Sequence, residues 1–155
     1  MKSQPPNDAE PGIPIGTRGE YEMRGLLFPK HLIDKGPGSP SDVIMMPAST
    51  AAQLVINMLM YWGIPPIDWG AILGVNPERV EDYKNGRFPT EAAELQRLED
   101  LLVIYKSLVI LIPEYSLAQH WCTTPNGYFN HRRPIDVIKA EGTRVVRQYL
   151  ESVSG

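Results

Sequence analysis

The segment Trp121-Cys-Thr-Thr-Pro125-Asn-Gly-Tyr-Phe-Asn130-His-Arg-Arg-Pro134-Ile-Asp-Val-Ile-Lys-Ala140-Glu-Gly-Thr-Arg-Val145-Val-Arg-Gln-Tyr-Leu150-Glu-Ser-Val-Ser-Gly155 decides how the chain is read. Pro134 lacks an N–H and has a preset φ, which suits the first position of a helix and predicts a short one through Ile138. Ala140-Glu-Gly142 breaks it. Beyond Gly142, Val145, Val146, Tyr149, Leu150 and Val153 recur at helical spacing, with Arg144, Arg147, Gln148 and Glu151 mostly between them. The pattern predicts an amphipathic helix with one buried and one wet face, reaching Ser154-Gly155 without a tail.

Upstream, Pro113 ends a long apolar stretch, and Glu114 to Thr123 reads as a short helix with Leu117, Ala118, Trp121 and Cys122 inward. Before it, a long helix is expected from Thr90 to Ile112, with acids in its first turn and a stripe of Leu95, Leu98, Leu102, Tyr105, Leu108 and Ile112. Val103, Ile104, Val109, Ile110 and Leu111 widen that stripe, and part of the excess is expected to form a dimer interface. Leu101 to Ile112 carries Lys106 and Ser107 and is shorter than the about 20 apolar residues a bilayer span needs.

Residues 48–112 read as one helical unit. Ser49 or Thr50 can cap a helix holding Ala52, Val55, Ile56, Leu59 and Met60, ended by Gly63. A second helix opens at Pro66 and stops at Gly74, and a third opens at Asn76-Pro77, buries Val80 and Tyr83, and ends at Asn85-Gly86. Residues 1–47 hold eight of the fifteen prolines and little periodicity, which predicts an irregular arm. Within it Tyr21 to Ile33, and again Ile44-Met-Met46, are apolar enough to cover the chain's own core.

Two resemblances follow. Gly70-x-x-Leu73-Gly-Val-Asn76-x-x-x-Val80-x-x-Tyr83-x-Asn-Gly86 is similar to the helix-turn-helix of Xre-type DNA-binding domains, whose second helix enters the major groove. It nominates Asn76, Arg79, Lys84 and Arg87 as DNA contacts, beside three acids, Glu78, Glu81 and Asp82, that repel phosphate. Trp121, Pro125, Asn126, Phe129, Pro134, Asp136, Glu141, Gly142, Val146, Leu150 and Gly155 stand in the order of the toxin-binding domain of Xre/MbcA/ParS-like antitoxins, which residues 113–155 resemble. The family usually has a glycine in the turn before the proline-led helix, where this chain has His131-Arg132-Arg133.

The expected fold is therefore all-α: an irregular arm, an Xre-like helix-turn-helix bundle with its linking helix, and a small helical toxin-binding domain. The resemblance implies the antitoxin of a type II toxin–antitoxin pair, blocking a cognate RES or ParT-like toxin that consumes NAD, with operator DNA as a second expected partner. It also implies a homodimer or higher hetero-oligomer. Candidate toxin contacts are Arg132, Arg133, Arg144, Arg147, Tyr149, Glu151, Ser154 and Gly155. The narrow tip at Ser154-Gly155, with its unpaired carbonyls and α-carboxylate, would suit a plug for an anion-binding cleft. The rival reading is a stand-alone transcriptional regulator whose last domain only dimerises, and a third is an adaptor that binds no DNA.

The formal net charge of −3 does not favour bulk attraction to nucleic acid, so any DNA contact must be local. One cysteine, Cys122, cannot form an internal disulfide, and the amino terminus has no signal-type apolar run, so a cytoplasmic protein without membrane contact is expected. No phosphate-binding glycine loop, nucleophile elbow or two-histidine zinc motif occurs, so neither an enzyme nor a cofactor is expected. His120, Cys122 and His131 form the one grouping that suggests a metal, and they fall short of a four-ligand site.

Overall fold

The structure is a computed structural model and describes residues 10–24, 28 and 38–154. Strand β1 spans Gly12–Thr17, helix α1 Arg18–Arg24, strand β2 Val43–Pro47 and helix α2 Ala48–Tyr61. A 3-10 turn at Pro66–Asp68 leads into α3 (Trp69–Leu73), followed by α4 (Pro77–Lys84), α5 (Ala92–Leu111) and α6 (Tyr115–His120). After 3-10 turns at Trp121–Thr123 and Gly127–Phe129 come α7 (Pro134–Glu141) and α8 (Thr143–Ser154).

The segment expected to be an irregular arm contains an antiparallel hairpin, so the fold is mainly α with one small sheet. Ile13 pairs with Met46 and Thr17 with Val43, with a register shift between Pro14 and Thr17. Alternation along both strands sends Ile13, Ile15, Ile44 and Met46 inward and leaves Pro14, Val43 and Met45 outward. Thr17 and Glu20 then start α1 as a capping box: Glu20 N donates to Thr17 Oγ1 at 3.3 Å and Thr17 N to Glu20 Oε1 at 3.4 Å. Tyr21 and Phe28 of the expected docking segment are buried, and the rest of Tyr21 to Ile33 beyond Arg24 lies outside the described residues.

Strand β1 packs on α5 around Lys106, while Val109, Ile110 and Leu111 at the helix's widened apolar end, where a dimer contact was expected, stay half-buried. The hairpin is fastened by Lys106, whose Nζ donates to Glu20 Oε1 at 2.9 Å and to the Ile15 carbonyl at 3.2 Å. Gly16, at φ +137°, lies against that pair, and a Cβ there would collide with the Glu20 carboxylate and the Lys106 ammonium.

Helix α2 begins at Ala48 behind Pro47, with no side-chain cap, rather than at Ser49 or Thr50. The Ser49 N–H instead donates to Glu10 Oε1 at 2.6 Å. Gly74 takes φ +71° at the turn after α3, as its position predicts. Gly70 makes room for backbone rather than for a neighbouring helix, because a Cβ there would lie 2.8 Å from the Val75 carbonyl oxygen. Asn76 caps α4 by accepting from Arg79 N at 2.9 Å, and Val80 and Tyr83 are buried.

Helix α5 starts two residues later than Thr90, behind Glu91, and is the spine of the molecule, contacting β1, α2, α3, α6 and α8. One continuous cluster of buried apolar side chains runs from Ile13 to Leu150, so residues 1–47, 48–112 and 113–155 all contribute to the same core. Ala118 and Cys122 point inward as expected, and complete burial pushes the Cys122 thiol pKa well above its usual range. Leu117 is exposed and Trp121 half-buried, because α6 is only six residues long before the chain tightens into a 3-10 turn and its inward face rotates.

A candidate protein-docking face on α8 and its loop

The loop between the last 3-10 turn and α7 is held by its own backbone. Asn126 Oδ1 accepts from Tyr128 N at 2.8 Å, and the Asn126 carbonyl accepts from Phe129 N at 3.0 Å and His131 N at 2.9 Å. Asn126 N donates to the Arg132 carbonyl at 3.0 Å, and Arg132 Nε donates to the Phe129 carbonyl at 3.1 Å. Closing so tight a loop puts Asn130 at φ 58° and His131 at φ 65°. Both lie in the left-handed region, the physical reason a glycine would suit this turn. The result is a fixed pair of neighbours: Phe129 buried and Tyr128 65 % exposed at the tip.

Helix α8 supplies the other half. Val146 and Leu150 are buried, each contributing about 1.5–3 kcal/mol, while Val145 and Tyr149 are half-buried beside them. The Tyr128 ring centroid is 4.2 Å from that of Tyr149, and Tyr149 stacks at 6.4 Å and 10° on Trp121. Val153, expected inward, is 52 % exposed: the last turn of α8, from Glu151 onward, projects past the core that covers Leu150. Trp121, Tyr128, Val145, Tyr149 and Val153 thus form a partly exposed apolar strip.

The charges around this strip are largely internally paired. Arg147, expected on the wet flank, is 20 % exposed and joins α8 to α5: its Nη1 donates to Glu99 at 2.8 Å and to Asp100 at 2.9 Å. Its Nε donates to Glu151 Oε2 at 3.3 Å. Burial works to lower the Arg147 pKa, but the bonds to Glu99 and Asp100 outweigh it and the net shift is upward. Asp100, 2 % exposed, also accepts from Gln96 at 3.1 Å and Thr143 Oγ1 at 2.8 Å. Arg132 pairs with Glu141 at 2.8 Å, and Arg133 grips both oxygens of Asp136 at 2.8 and 2.9 Å. That grip holds the Asp136 carboxyl below the usual carboxylate range, so Asp136 fixes the turn by side-chain pairing rather than by capping α7. Arg144 is exposed with no partner among the described residues. Ser154 ends α8, and Gly155 lies outside the described residues.

The candidate DNA contacts sit together on α4 and its flank, and each has a partner within the chain. Asn76 is the cap. Arg79 lies between Glu94 at 2.9 Å and Asp82 at 3.3 Å, and the bond to Glu94 raises its pKa. Lys84 pairs with Glu81 at 3.0 Å, and Arg87 lies 3.8 Å from Asp82. Tyr83 also donates to Glu94. Among the described residues no three His, Cys, Asp or Glu side chains gather where a metal ion would be held, and no helix is long and apolar enough to cross a membrane. His120 is exposed on the surface while Cys122 is buried.

Residues 107–155 match the model of the family described as antitoxin Xre/MbcA/ParS C-terminal toxin-binding domain. The match takes in about a third of the chain. The matched segment takes in the end of α5 and all of α6, α7 and α8, and it holds the whole strip of Trp121, Tyr128, Val145, Tyr149 and Val153. A chain in the crystal structure of the M. tuberculosis MbcT-MbcA toxin-antitoxin complex aligns with 65 % of this chain and 90 % of its own length, at 22 % identity and a TM-score of 0.47. No curated protein matches.

The sequence nominated Arg144 and Tyr149 among the candidate toxin contacts, and it did not nominate Tyr128, Trp121 or Val153. The signal for Tyr128 was present in Pro125-Asn-Gly, a turn sequence that leaves the next side chain at a loop tip. Nothing local signals that Arg147 lies against α5, because its partners are 47 and 48 residues away.

Proposed function

We propose that the chain is a non-catalytic antitoxin that binds a cognate protein toxin through the aromatic strip of α8 and the Tyr128 loop. The observation that carries this reading is the position of the strip: exposed aromatic side chains on a self-braced loop, inside the segment that matches a toxin-binding domain family. Tyrosine and tryptophan at such a place offer large contact area at low entropic cost, as residues at the centres of protein interfaces do. The family resemblance further supports a toxin that consumes NAD, with the last turn of α8, around Val153, reaching towards its cleft.

The test is expression of the protein encoded by the adjoining reading frame, alone and with this chain. Growth arrest and a fall in cellular NAD are expected from the partner alone, and relief of both from co-expression. Tyr128→Ala combined with Val153→Asp should abolish relief without lowering the melting temperature. A partner that is harmless alone would end the reading. Arrest with NAD unchanged would keep an antitoxin and discard the NAD chemistry. The internal pairing of Arg79, Lys84 and Arg87 speaks against α4 as a DNA-reading surface.

A further inference from the structure

Resting on the reading of residues 107–155 as a toxin-docking domain, we infer that the partner meets it with an apolar, aromatic-accepting concavity bearing one carboxylate at its edge, opposite Arg144. The grip is then largely insensitive to salt. The domain has five basic side chains, Arg132, Arg133, Lys139, Arg144 and Arg147, and four acidic ones, Glu114, Asp136, Glu141 and Glu151. Four of the five cations are bound within the chain: Arg132 to Glu141, Arg133 to Asp136, Lys139 to Asp136 and Asp68, and Arg147 to Glu99, Asp100 and Glu151. Those pairs engage three of the four acids as well. A partner that relied on several ion pairs would have to break these first, exchanging one pair for another with little gain.

What the domain offers unpaired is apolar area. Tyr128 and Val153 are more than half exposed, and Val145, Tyr149 and Trp121 are partly so. The loop carrying Tyr128 is fixed by the Asn126 hydrogen bonds, so little ordering is needed on docking. Arg144, Gln148 and Ser152 recur at four-residue spacing along the exposed face of α8 beside that strip, making a polar rim. Arg144 is the one cation of that rim, and an opposite charge on the partner's edge is the chemistry that accommodates it.

The experiment uses the purified full chain and the purified product of the adjoining reading frame, with affinity measured by calorimetry at about 0.1 M and 1 M sodium chloride, where the screening length shrinks from ~10 Å to ~3 Å. Affinity should fall by less than about threefold across that range. Tyr128→Ala and, independently, Val153→Asp should weaken binding at least about tenfold at both salts. Arg144→Glu should weaken it about three- to tenfold at low salt and leave it near wild type at high salt, the behaviour of a rim charge. Arg132→Ala should bind like wild type. A complex whose affinity drops more than about thirtyfold with salt, or that ignores both Tyr128→Ala and Val153→Asp, overturns the inference and leaves the docking domain intact. No complex at either salt overturns the docking reading and the inference together.

Discussion

Arg79 reaches from α4 to Glu94 in the first turn of α5, and Arg147 reaches from α8 to Glu99 and Asp100, about a turn and a half further along the same helix. Both are candidate ligand contacts, and both fasten a shorter helix to the central one. They differ in depth. Arg79 keeps 29 % of its side chain exposed against a Glu94 carboxylate at 17 %, whereas Arg147 keeps 20 % and touches an Asp100 carboxylate at 3 %. The helices differ too in what remains uncovered: α4 shows Glu78, Glu81 and Lys84, and α8 shows Val153 and half of Tyr149. An arginine in a helix face is thus poor evidence of a binding site by itself, and the apolar side chains left beside it are better evidence.

Lys106 supplies a third charged link along α5, and its loss should have the largest effect. Removing residues 1–47 deletes Glu20 and the buried Ile13, Ile15, Tyr21, Ile44 and Met46, leaving a lysine in an apolar setting. The remainder should show no cooperative thermal transition. A sharp melt of that fragment would mean the hairpin is an accessory and the links on α5 act independently. Next comes Arg147→Ala, which leaves Asp100 short of its cation and should cost about 3 kcal/mol in urea unfolding.

Alkaline pH should act more gently. Burial raises the folded pKa values of Cys122 and Tyr83, for Tyr83 with help from Glu94, so their contribution is complete below the thiol's ordinary 9.0 and declines as pH rises from there towards the folded values. At pH 10, one unit above the thiol's ordinary value, Cys122 alone should cost about 1 kcal/mol. Cys122→Ala should flatten the urea-stability profile between pH 9 and 10 whatever it does to stability at pH 7.

The smallest effect is expected at Arg79. Arg79→Ala should cost about 1 kcal/mol, and a loss equal to that of Arg147→Ala would mean depth is not what separates the two links. If α4 read DNA, Arg79→Ala and Arg87→Ala would each reduce the salt slope of binding by about one phosphate contact. We expect gel shifts with the promoter fragment to be weak and unchanged by either substitution.

What the sequence made legible was local. Gly74, Asn76-Pro77, Pro134 and Gly142 mark turns through their own backbone preferences, so the helix order from α2 to α8 could be read, with ends off by one to three residues, as at Ala48, Trp69, Ala92, His120 and Glu141. The hairpin was not legible, because Gly-Ile-Pro-Ile-Gly-Thr and Val-Ile-Met-Met-Pro are too short and too interrupted for a period of two to stand out. Their pairing depends on a surface of α5 far along the chain. Leu117 and Val153 were misplaced for a related reason: helical periodicity gives a residue's azimuth, not whether the core extends as far as its turn. The segment carrying the proposed docking strip was recognisable from ordered markers, but the strip itself depended on the loop that turns Tyr128 outward.

The bond between Lys106 and Glu20 also fixes an order of events during synthesis. The two residues are 86 apart, so at about 5–20 residues per second the ribosome adds Lys106 roughly 4–17 s after Glu20. Until then Ile13, Ile15, Ile44 and Met46 have no α5 to cover them. A nascent chain of this protein therefore presents a bare apolar hairpin for several seconds, and chaperones that bind emerging apolar segments would meet its first fifty residues before the proposed toxin-binding segment has been made.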